Sequence, residues 1–522
     1  MDRKLGDIVR VMKLTIATPI KAYLKDFTAE DLETLTKELT YTNTSVAHLL
    51  KRHYNNKFFR AKNPDAWAAR MEELKKEVKK TLIYTDEDGT YIRPGSIPYL
   101  NFPYEVENLI KYPTPKAIPW HKPLPFMLHP YQALSASELV KNAVNGPVNV
   151  ELCTGSGKSA ILLKVARETG FKCAIIAPSK SIFLELVEKF EFHFGKGKIG
   201  KFGNGSKKLD KNITICIGDS VANIKPGSKE WEFFSNLQMM CVDESHTWGA
   251  DTLEEICHGV LATVPYRMFF SGTQTRGDGG ARLLQSIIGK TVHKLSTAEA
   301  VAGGYICPHE YRIVELESSN PNYMTADALD MKRVHFLGNR NICSFVAKLA
   351  NSTALASGQQ TLVLVEELNQ ISMLTKLLTV PFAYAHSETK PERLAELGLT
   401  KVDPAESVEK FNKNEVKVLI GTSCIATGTN IYPTHNTINW VGGASEIKTK
   451  QGSIGRSVRK SSQNPYKEKC LDKTKSLIWD FNVSDIYLMS KHLEDRITYY
   501  EDSGSEIIRI RLDATKKETG GF

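Results

Sequence analysis

The sequence has no apolar run long enough to cross a bilayer as a helix, so a helical membrane protein is not expected. Its start, Met1-Asp2-Arg3-Lys4-Leu5, runs into mixed charge without an uninterrupted apolar segment, so a secretory signal peptide is not expected either. The nine cysteines are scattered and never form C-x-x-C, which argues against a zinc site or a disulfide frame. Cys173, Cys216 and Cys241 fall in apolar runs that read as buried strands, as in proteins of a reducing cytoplasm. No acid cluster of the nuclease kind stands apart from the motifs described below. Composition shows no bias: 41% hydrophobic and 24% charged residues are ordinary for a globular protein. At 522 residues the chain is too long for one core, so two or three domains are expected. The net charge of +9 permits a polyanionic partner without requiring one.

What the sequence does have is Glu151-Leu152-Cys153-Thr154-Gly155-Ser156-Gly157-Lys158-Ser159. A β-prone run, Val148 to Leu152, precedes it, and apolar residues at helical spacing follow it from Ala160 to Arg167. The glycines therefore sit on a strand-to-helix turn, the context that a phosphate-binding P-loop requires. Gly155 and Gly157 let backbone N–H groups curl around an oxyanion, and the helix N-terminus adds partial positive charge there. Lys158 can reach the β- and γ-phosphates, and the Ser159 hydroxyl can ligate magnesium. The first glycine of the strict pattern is replaced by Leu152.

Upstream, residues 1–120 read as a small α+β domain. Lys51-Arg52-His53-Tyr54, Lys57-Phe58-Phe59-Arg60 and the lysines at 75, 76, 79 and 80 interleave charge with aromatics. Such a pattern can grip phosphates and stack on bases, or can simply be a solvated lysine face at the end of the helix expected over Trp67–Lys80. Thr81 to Arg93 reads as a hairpin turned at Asp88-Gly89. The proline-rich stretch Tyr112 to Pro123 suits a stiff, extended domain boundary. Pro130-Tyr131-Gln132 opens a helix, and Gln132, one helix ahead of the P-loop, can pair with an adenine edge.

Beyond the P-loop helix, strand and helix alternate, the signature of a parallel α/β sheet. The basic, glycine-rich run from Gly195 to Lys208 reads as a surface loop. Met239 to Val242 ends in Asp243-Glu244-Ser245-His246. A buried strand ending in two acids completes a nucleotide site: Asp243 to hold the magnesium, Glu244 to orient and deprotonate the attacking water. Ser271-Gly272-Thr273 is another strand end bearing hydroxyls. The second half repeats the architecture without a P-loop and reaches Gly421 to Asn430. Gln451 to Lys460 then reads as a basic helix, in which Arg456 and Arg459 share one face and can neutralise charge on a transferring γ-phosphate.

In their order these motifs, with Gln451-x-x-x-Gly455-Arg456-x-x-Arg459 as the last, resemble the superfamily 2 helicases over about Pro125 to Tyr500. The Leu-x-Thr form of the P-loop and the Asn339-Arg340-Asn341 helix start are most similar to the UvsW-type branch-migration helicases of tailed bacteriophages. The resemblance implies an α/β fold of two tandem RecA-like parallel-sheet lobes, residues 121–308 and 309–505, behind the N-terminal domain and before a tail at 506–522. It implies ATP and Mg2+ as cofactors. Gln132, Thr154, Gly155, Ser156, Gly157, Lys158, Ser159, Gly428 and Asn430 would bind the nucleotide, with Ser159 and Asp243 on the metal. Lys158, Asp243, Glu244, Gln451, Arg456 and Arg459 would carry hydrolysis, and Ser271 and Thr273 would couple the lobes. Ser179, Lys180, Ser220 and Thr422 would touch the nucleic-acid backbone. Asn430 stands where many relatives carry aspartate, and His246 departs from the DEAD-box RNA type. The expected protein is a cytoplasmic ATP-dependent helicase, monomeric on forked or branched DNA. An RNA helicase, a restriction or repair motor and a non-hydrolysing P-loop protein are the alternatives.

Overall fold

The computed structural model describes residues 11–124, 127–272, 281–325, 327–425, 430–443 and 455–511, apart from the side chains of Ser45, His246, Ala250 and Arg456. It divides into two compact units: Met1–Leu152 with Lys158–Lys294, and Cys153–Gly157 with Leu295–Phe522. Among the described residues no helix is long and apolar enough to cross a membrane.

The first unit opens with a five-stranded sheet in the order Ile83–Asp86, Gly89–Ile92, Lys21–Lys25, Met12–Thr18, Tyr104–Asn108. In its hairpin Asp86 pairs with Gly89, so the turn residues are Glu87 and Asp88, one position earlier than the sequence suggested. The reason is local: the Asp86 carboxylate accepts the Asp88 N–H at 3.0 Å and an ion pair from Lys21 at 2.6 Å, which fixes an aspartate-led turn. The helix Ala29–Leu39 starts at a capping box made by Thr28 and Asp31. Three further helices, Thr44–Asn55, Lys57–Lys62 and Pro64–Val78, form an excursion closed at its base by Thr40–Thr42 pairing with Lys79–Thr81. The last of these helices takes Pro64 into its first turn and ends at Val78, so Lys79 and Lys80 lie on a strand.

The same unit holds an eight-stranded sheet in the order Ser206–Lys208, Ile199–Gly203, Ile213–Ile217, Cys173–Ala177, Met239–Val242, Tyr266–Ser271, Val148–Leu152, Lys290–Leu295. From Ile199–Gly203 to Val148–Leu152 the pairs are parallel. Continuous Val, Ile, Cys and Met runs form these strands because helices cover both faces. The basic run after Gly195 is not a plain loop. Ile199 and Phe202 are buried, and the stretch folds as a hairpin whose first strand extends the sheet beside Ile213–Ile217. Leu14, Ile16 and Leu35 of the N-terminal portion share one core with Phe269, Leu284 and Ile287. The proline-rich stretch lies along this body: Lys116 and Ile118 donate backbone N–H bonds of 2.9 Å to Thr169 and Arg167, and His121 donates one of 2.8 Å to His193.

The second unit is built on a seven-stranded sheet in the order Phe382–Ala385, Val418–Gly421, Thr361–Val365, Asn436–Trp440, Ser476–Val483, His309–Leu316, Ile507–Arg511, with every pair parallel. The strand Ile507–Arg511, from the stretch at 506–522 whose apolar alternation reads as a last strand, forms one edge of the sheet. The helix Arg340–Ser357 begins on Asn339, whose Oδ1 accepts the N–H groups of Asn341 and Ile342 at 2.9 and 3.2 Å.

Candidate active site

In a parallel sheet, ligands collect where the strands end at their carboxyl edge. The first sheet brings its motifs there by register. Ser271 pairs with Glu151, and Val242 pairs with both Phe269 and Ile176, so the P-loop, Ser271 and the two acids leave the sheet along one edge. Gly155 and Gly157 take φ values of 86° and 78°, left-handed positions that glycine holds without strain. The helix Lys158–Thr169 follows at once, directing its first N–H groups toward the loop.

Lys158 Nζ lies 3.1 Å from Glu244 Oε1, with both side chains largely buried. Asp243 is buried beside them, its backbone N–H donating to Ile176 O at 2.9 Å and its carbonyl accepting from Trp248 Nε1 at 3.1 Å. Burial first, and then the Glu244 carboxylate, push the Asp243 carboxyl above the usual carboxylate range, while Lys158 opposes the rise. Glu244 adopts φ 48° and ψ 47°, a left-handed conformation that non-glycine residues rarely take. Its carbonyl accepts both the N–H and the hydroxyl of Thr247 at 2.8 Å, which holds the strained residue in place.

These residues fit a magnesium–nucleotide. The Ser159 hydroxyl and the Asp243 carboxylate are hard oxygen donors of the kind Mg2+ takes. The left-handed glycines leave a cradle of bare backbone around the phosphate position. Inside the second unit a Cβ at Gly155 would fall 3.2 Å from Val458 Cγ2, a tight fit that Val458 would have to yield to by a few tenths of an ångström. Among the described residues no cluster of three or more His, Cys, Asp or Glu side chains suits a different metal centre.

The other expected residues are placed as follows. Gln132 is buried in the first turn of its helix, with Oε1 accepting the His129 N–H at 3.0 Å. Ser179 caps the helix Lys180–Phe194, and Ser220 lies in the short helix Gly218–Ala222. Both follow neighbouring strands at the same carboxyl edge. Thr422 ends the strand Val418–Gly421 of the second sheet, its N–H donating to Ala385 O at 3.1 Å. Arg459 Nη1 bonds Asn430 Oδ1, and its guanidinium lies 5.7 Å from the centroid of the Tyr432 ring. Thr273, Gly428 and Gln451 lie outside the described residues, as does the side chain of Arg456.

The expected basic helix is confined, among the described residues, to the single turn Gly455–Ser457, so Arg459 is not on a shared helical face with Arg456. Just beyond it, the Ser457 and Val458 carbonyls accept from groups outside the turn. Lys473 Nζ donates to Ser457 O at 2.8 Å, and the Cys307 N–H donates to Val458 O at 2.7 Å.

Two lysines at this chemistry escaped the sequence reading. Lys189, in the third turn of the helix that Ser179 caps, donates to Ser159 Oγ at 3.2 Å and pairs with Glu185. Lys473 is the second. Helical spacing gives the pairing of Glu185 with Lys189, but nothing local points Lys189 at Ser159 or Lys473 at Ser457.

Two family models match the chain over two successive stretches. One, described as type III restriction enzyme, res subunit, matches residues 125–276. The other, described as helicase conserved C-terminal domain, matches residues 343–461. The first spans the P-loop and the acid pair, the second the Arg459 turn, in the order and on the two parallel sheets just described. The chain belongs to the superfamily 2 helicases. As a helicase it is an enzyme that uses ATP. Among curated relatives, the DNA 3'-5' translocase XPB2 of Sulfurisphaera tokodaii is 22% identical over 342 residues, 60% of this chain and 75% of the relative. Among solved structures, the DNA-bound type ISP restriction-modification enzyme LlaBIII aligns with 79% of this helicase and 34% of its own chain, at 10% identity and TM-score 0.52. UvsW of bacteriophage T4 aligns over 96% of this helicase and 99% of its own chain, at 16% identity and TM-score 0.41.

Proposed function

We propose that this helicase couples ATP hydrolysis to translocation on DNA and remodels branched DNA such as forks and four-way junctions. The observation that carries the motor reading is the Lys158–Glu244 pair beside buried Asp243 at the strand ends. In this reading the triphosphate replaces Glu244 as the partner of Lys158. Glu244, released, takes the proton of the attacking water. Ser159 and Asp243 would hold Mg2+, which would supply positive charge against the phosphates. Gln132 and the P-loop backbone bind the nucleotide. Gln451, Arg456 and Arg459, with Gly428 and Asn430, complete the site from the second lobe, while Ser271 and Thr273 relay its state. Ser179, Lys180, Ser220 and Thr422 hold the backbone of one strand. Their contacts are to phosphate, which every sequence offers.

The choice of DNA rests on two supports: the curated relative is named a DNA translocase, and His246 departs from the RNA type. Branch remodelling rests on the N-terminal excursion, where Arg60 lies 4.7 Å over Trp67 and Phe58 is 79% exposed among Lys51, Arg52, Lys57 and Lys62. The P-loop form and the Asn339 cap support a UvsW-type placement. The working form is a monomer on DNA in the cytoplasm.

The test is hydrolysis and unwinding on a panel of single strand, duplex, fork, four-way junction and RNA. Stimulation greatest with the fork or junction is expected. Stimulation by RNA alone would replace DNA as the substrate, and equal stimulation by all DNA forms would remove the branch preference. Affinity should also fall steeply with salt as phosphate contacts release counterions.

A further inference from the structure

Lys473 is buried in the second unit, 5% exposed, on the approach to the strand Ser476–Val483. Its Nζ donates to Ser457 O at 2.8 Å and to Tyr432 O at 3.3 Å. Among the described residues no carboxylate pairs with it. The adjacent Asp472 instead accepts from the Ser461 hydroxyl at 2.6 Å. The titratable and charged groups around the amine are Cys307, Arg459, His309 and His435, none of them an acid of the carboxylate kind. An ammonium satisfied only by neutral carbonyls is a costly occupant of a core position, because nothing there compensates its lost hydration. Its presence asks for a function beyond filling space.

The two carbonyls supply one. Ser457 ends its single turn two residues before Arg459, and Tyr432 lies two residues beyond Asn430. Those two segments already meet through the Arg459–Asn430 hydrogen bond and the stacking of Arg459 over Tyr432. Lys473 closes the same pair of segments from beneath. The single turn Gly455–Ser457 has its last carbonyl on Lys473, and Arg459, two residues on, reaches Asn430. Asn412 Nδ2 donates to Asn430 O at 2.7 Å and so anchors the other side. The guanidinium is held between two segments that are each fixed by a buried donor.

We propose that Lys473 is a positioning residue that sets the Arg459 guanidinium for the γ-phosphate by tying its turn to the Asn430–Tyr432 segment. The inference rests on the reading of Arg459 as a phosphate-neutralising group in the preceding section. Lys473 touches no substrate and acts only through that arginine.

The experiment compares the full-length wild type with Lys473→Met, Lys473→Gln, Arg459→Ala and the Lys473→Met/Arg459→Ala pair. It measures kcat and KM for ATP, affinity for ADP and for a slowly hydrolysed ATP analogue, and the melting temperature. Lys473→Met should lower kcat roughly ten-fold or more and shrink the preference for the analogue over ADP. ADP affinity should hold and the melting temperature should not fall, since methionine fills the space without a charge. Lys473→Gln keeps a donor and should recover part of kcat. It also serves if the methionine variant does not accumulate as folded protein. In the Arg459→Ala background Lys473→Met should add nothing. Losses that add in the double variant, an unchanged kcat in both Lys473 variants, or an equal fall in ADP and analogue affinity together with melting temperature would overturn the proposal. If Arg459→Ala itself leaves kcat and the nucleotide preference intact, it is the role of Arg459 that fails instead.

Discussion

Lys158 and Glu244 hold each other's charge across 3.1 Å in a largely buried site, so each is the other's competitor for the incoming ligand. Glu244→Gln removes the base and the competing carboxylate together. Hydrolysis should fall by about 10²- to 10⁴-fold, as expected when a general base is lost, while ATP binding is kept or strengthened. Single-turnover hydrolysis with a parallel binding titration checks this. A variant that still turns over within a few-fold of wild type would remove Glu244 from the chemistry. Lys473 gives a pH prediction. Burial pushes its amine down to about 8 from the ordinary lysine value of 10.5. Between those two values the unfolded chain holds a proton that the folded chain has released, so this residue's contribution to stability rises with pH across that window and is constant below it. The stability of Lys473→Met minus that of wild type should therefore shrink as pH rises from about 8 to 10.5 in denaturant titrations, and a flat difference would contradict the buried ammonium. The contrast between these residues explains what was legible. Lys158, Asp243 and Glu244 stand in local patterns, at the end of an apolar strand or before an amphipathic helix. Lys189 and Lys473 acquire their partners at separations of 30, 16 and 41 residues, which no periodicity encodes.

At the scale of elements, the strand ending at Val242 is aligned by more than its ladder. Trp248 returns its Nε1 to the Asp243 carbonyl at 3.1 Å and packs its ring on Gly218, at the end of Ile213–Ile217. A Cβ at Gly218 would lie 1.7 Å from the Trp248 ring, so the ring, itself buried, would have to shift. Gly218→Ala should therefore displace the tryptophan and release the acid turn. The expected cost is about 1–3 kcal/mol of stability, with a fall in kcat larger than any change in nucleotide affinity. Denaturant midpoint and steady-state kinetics on the one variant test both parts, and unchanged kcat would mean that Trp248 only fills space. The buried strands were readable because a sheet covered on both faces writes continuous apolar runs. The hairpin after Gly195 was not: its lysines and glycines look like a loop, and only the inward Ile199 and Phe202 reveal the strand. The Arg459 turn looked helical for the opposite reason. Its sequence has helical spacing, but the Ser457 and Val458 carbonyls are tied to Lys473 and Cys307, partners distant in sequence.

At the scale of the molecule, the N-terminal sheet is part of the P-loop unit and not an appendage on a linker. Arg93 is 4% exposed, bonds Ser286 Oγ at 3.2 Å and pairs with Glu254. Tyr99 donates to Gly289 O at 2.8 Å. Gly95 packs so closely on the helix Ala281–Ile288 that a Cβ would meet Ser286 O at 2.3 Å. That neighbour is helix backbone and cannot swing aside as a side chain would. Two consequences follow from one shared core. Removing residues 1–120 should leave Leu284 and Ile287 without cover, so the shortened protein should aggregate or lose ATP binding instead of behaving as a free-standing motor. Gly95→Val should lower the melting of the first unit by several degrees, with a cost of about 1–3 kcal/mol. In calorimetry the N-terminal portion and the P-loop sheet should unfold together as one transition, and the Gly95→Val shift should appear in that transition while the second unit keeps its own. A truncated protein that stays soluble and binds ATP with wild-type affinity would show that the shared core is dispensable. Because the aromatic and basic excursion grows from Thr40–Thr42 and Lys79–Thr81, beside Leu39 and Leu82 in that core, it is carried by the body that holds Lys158 and the acid pair.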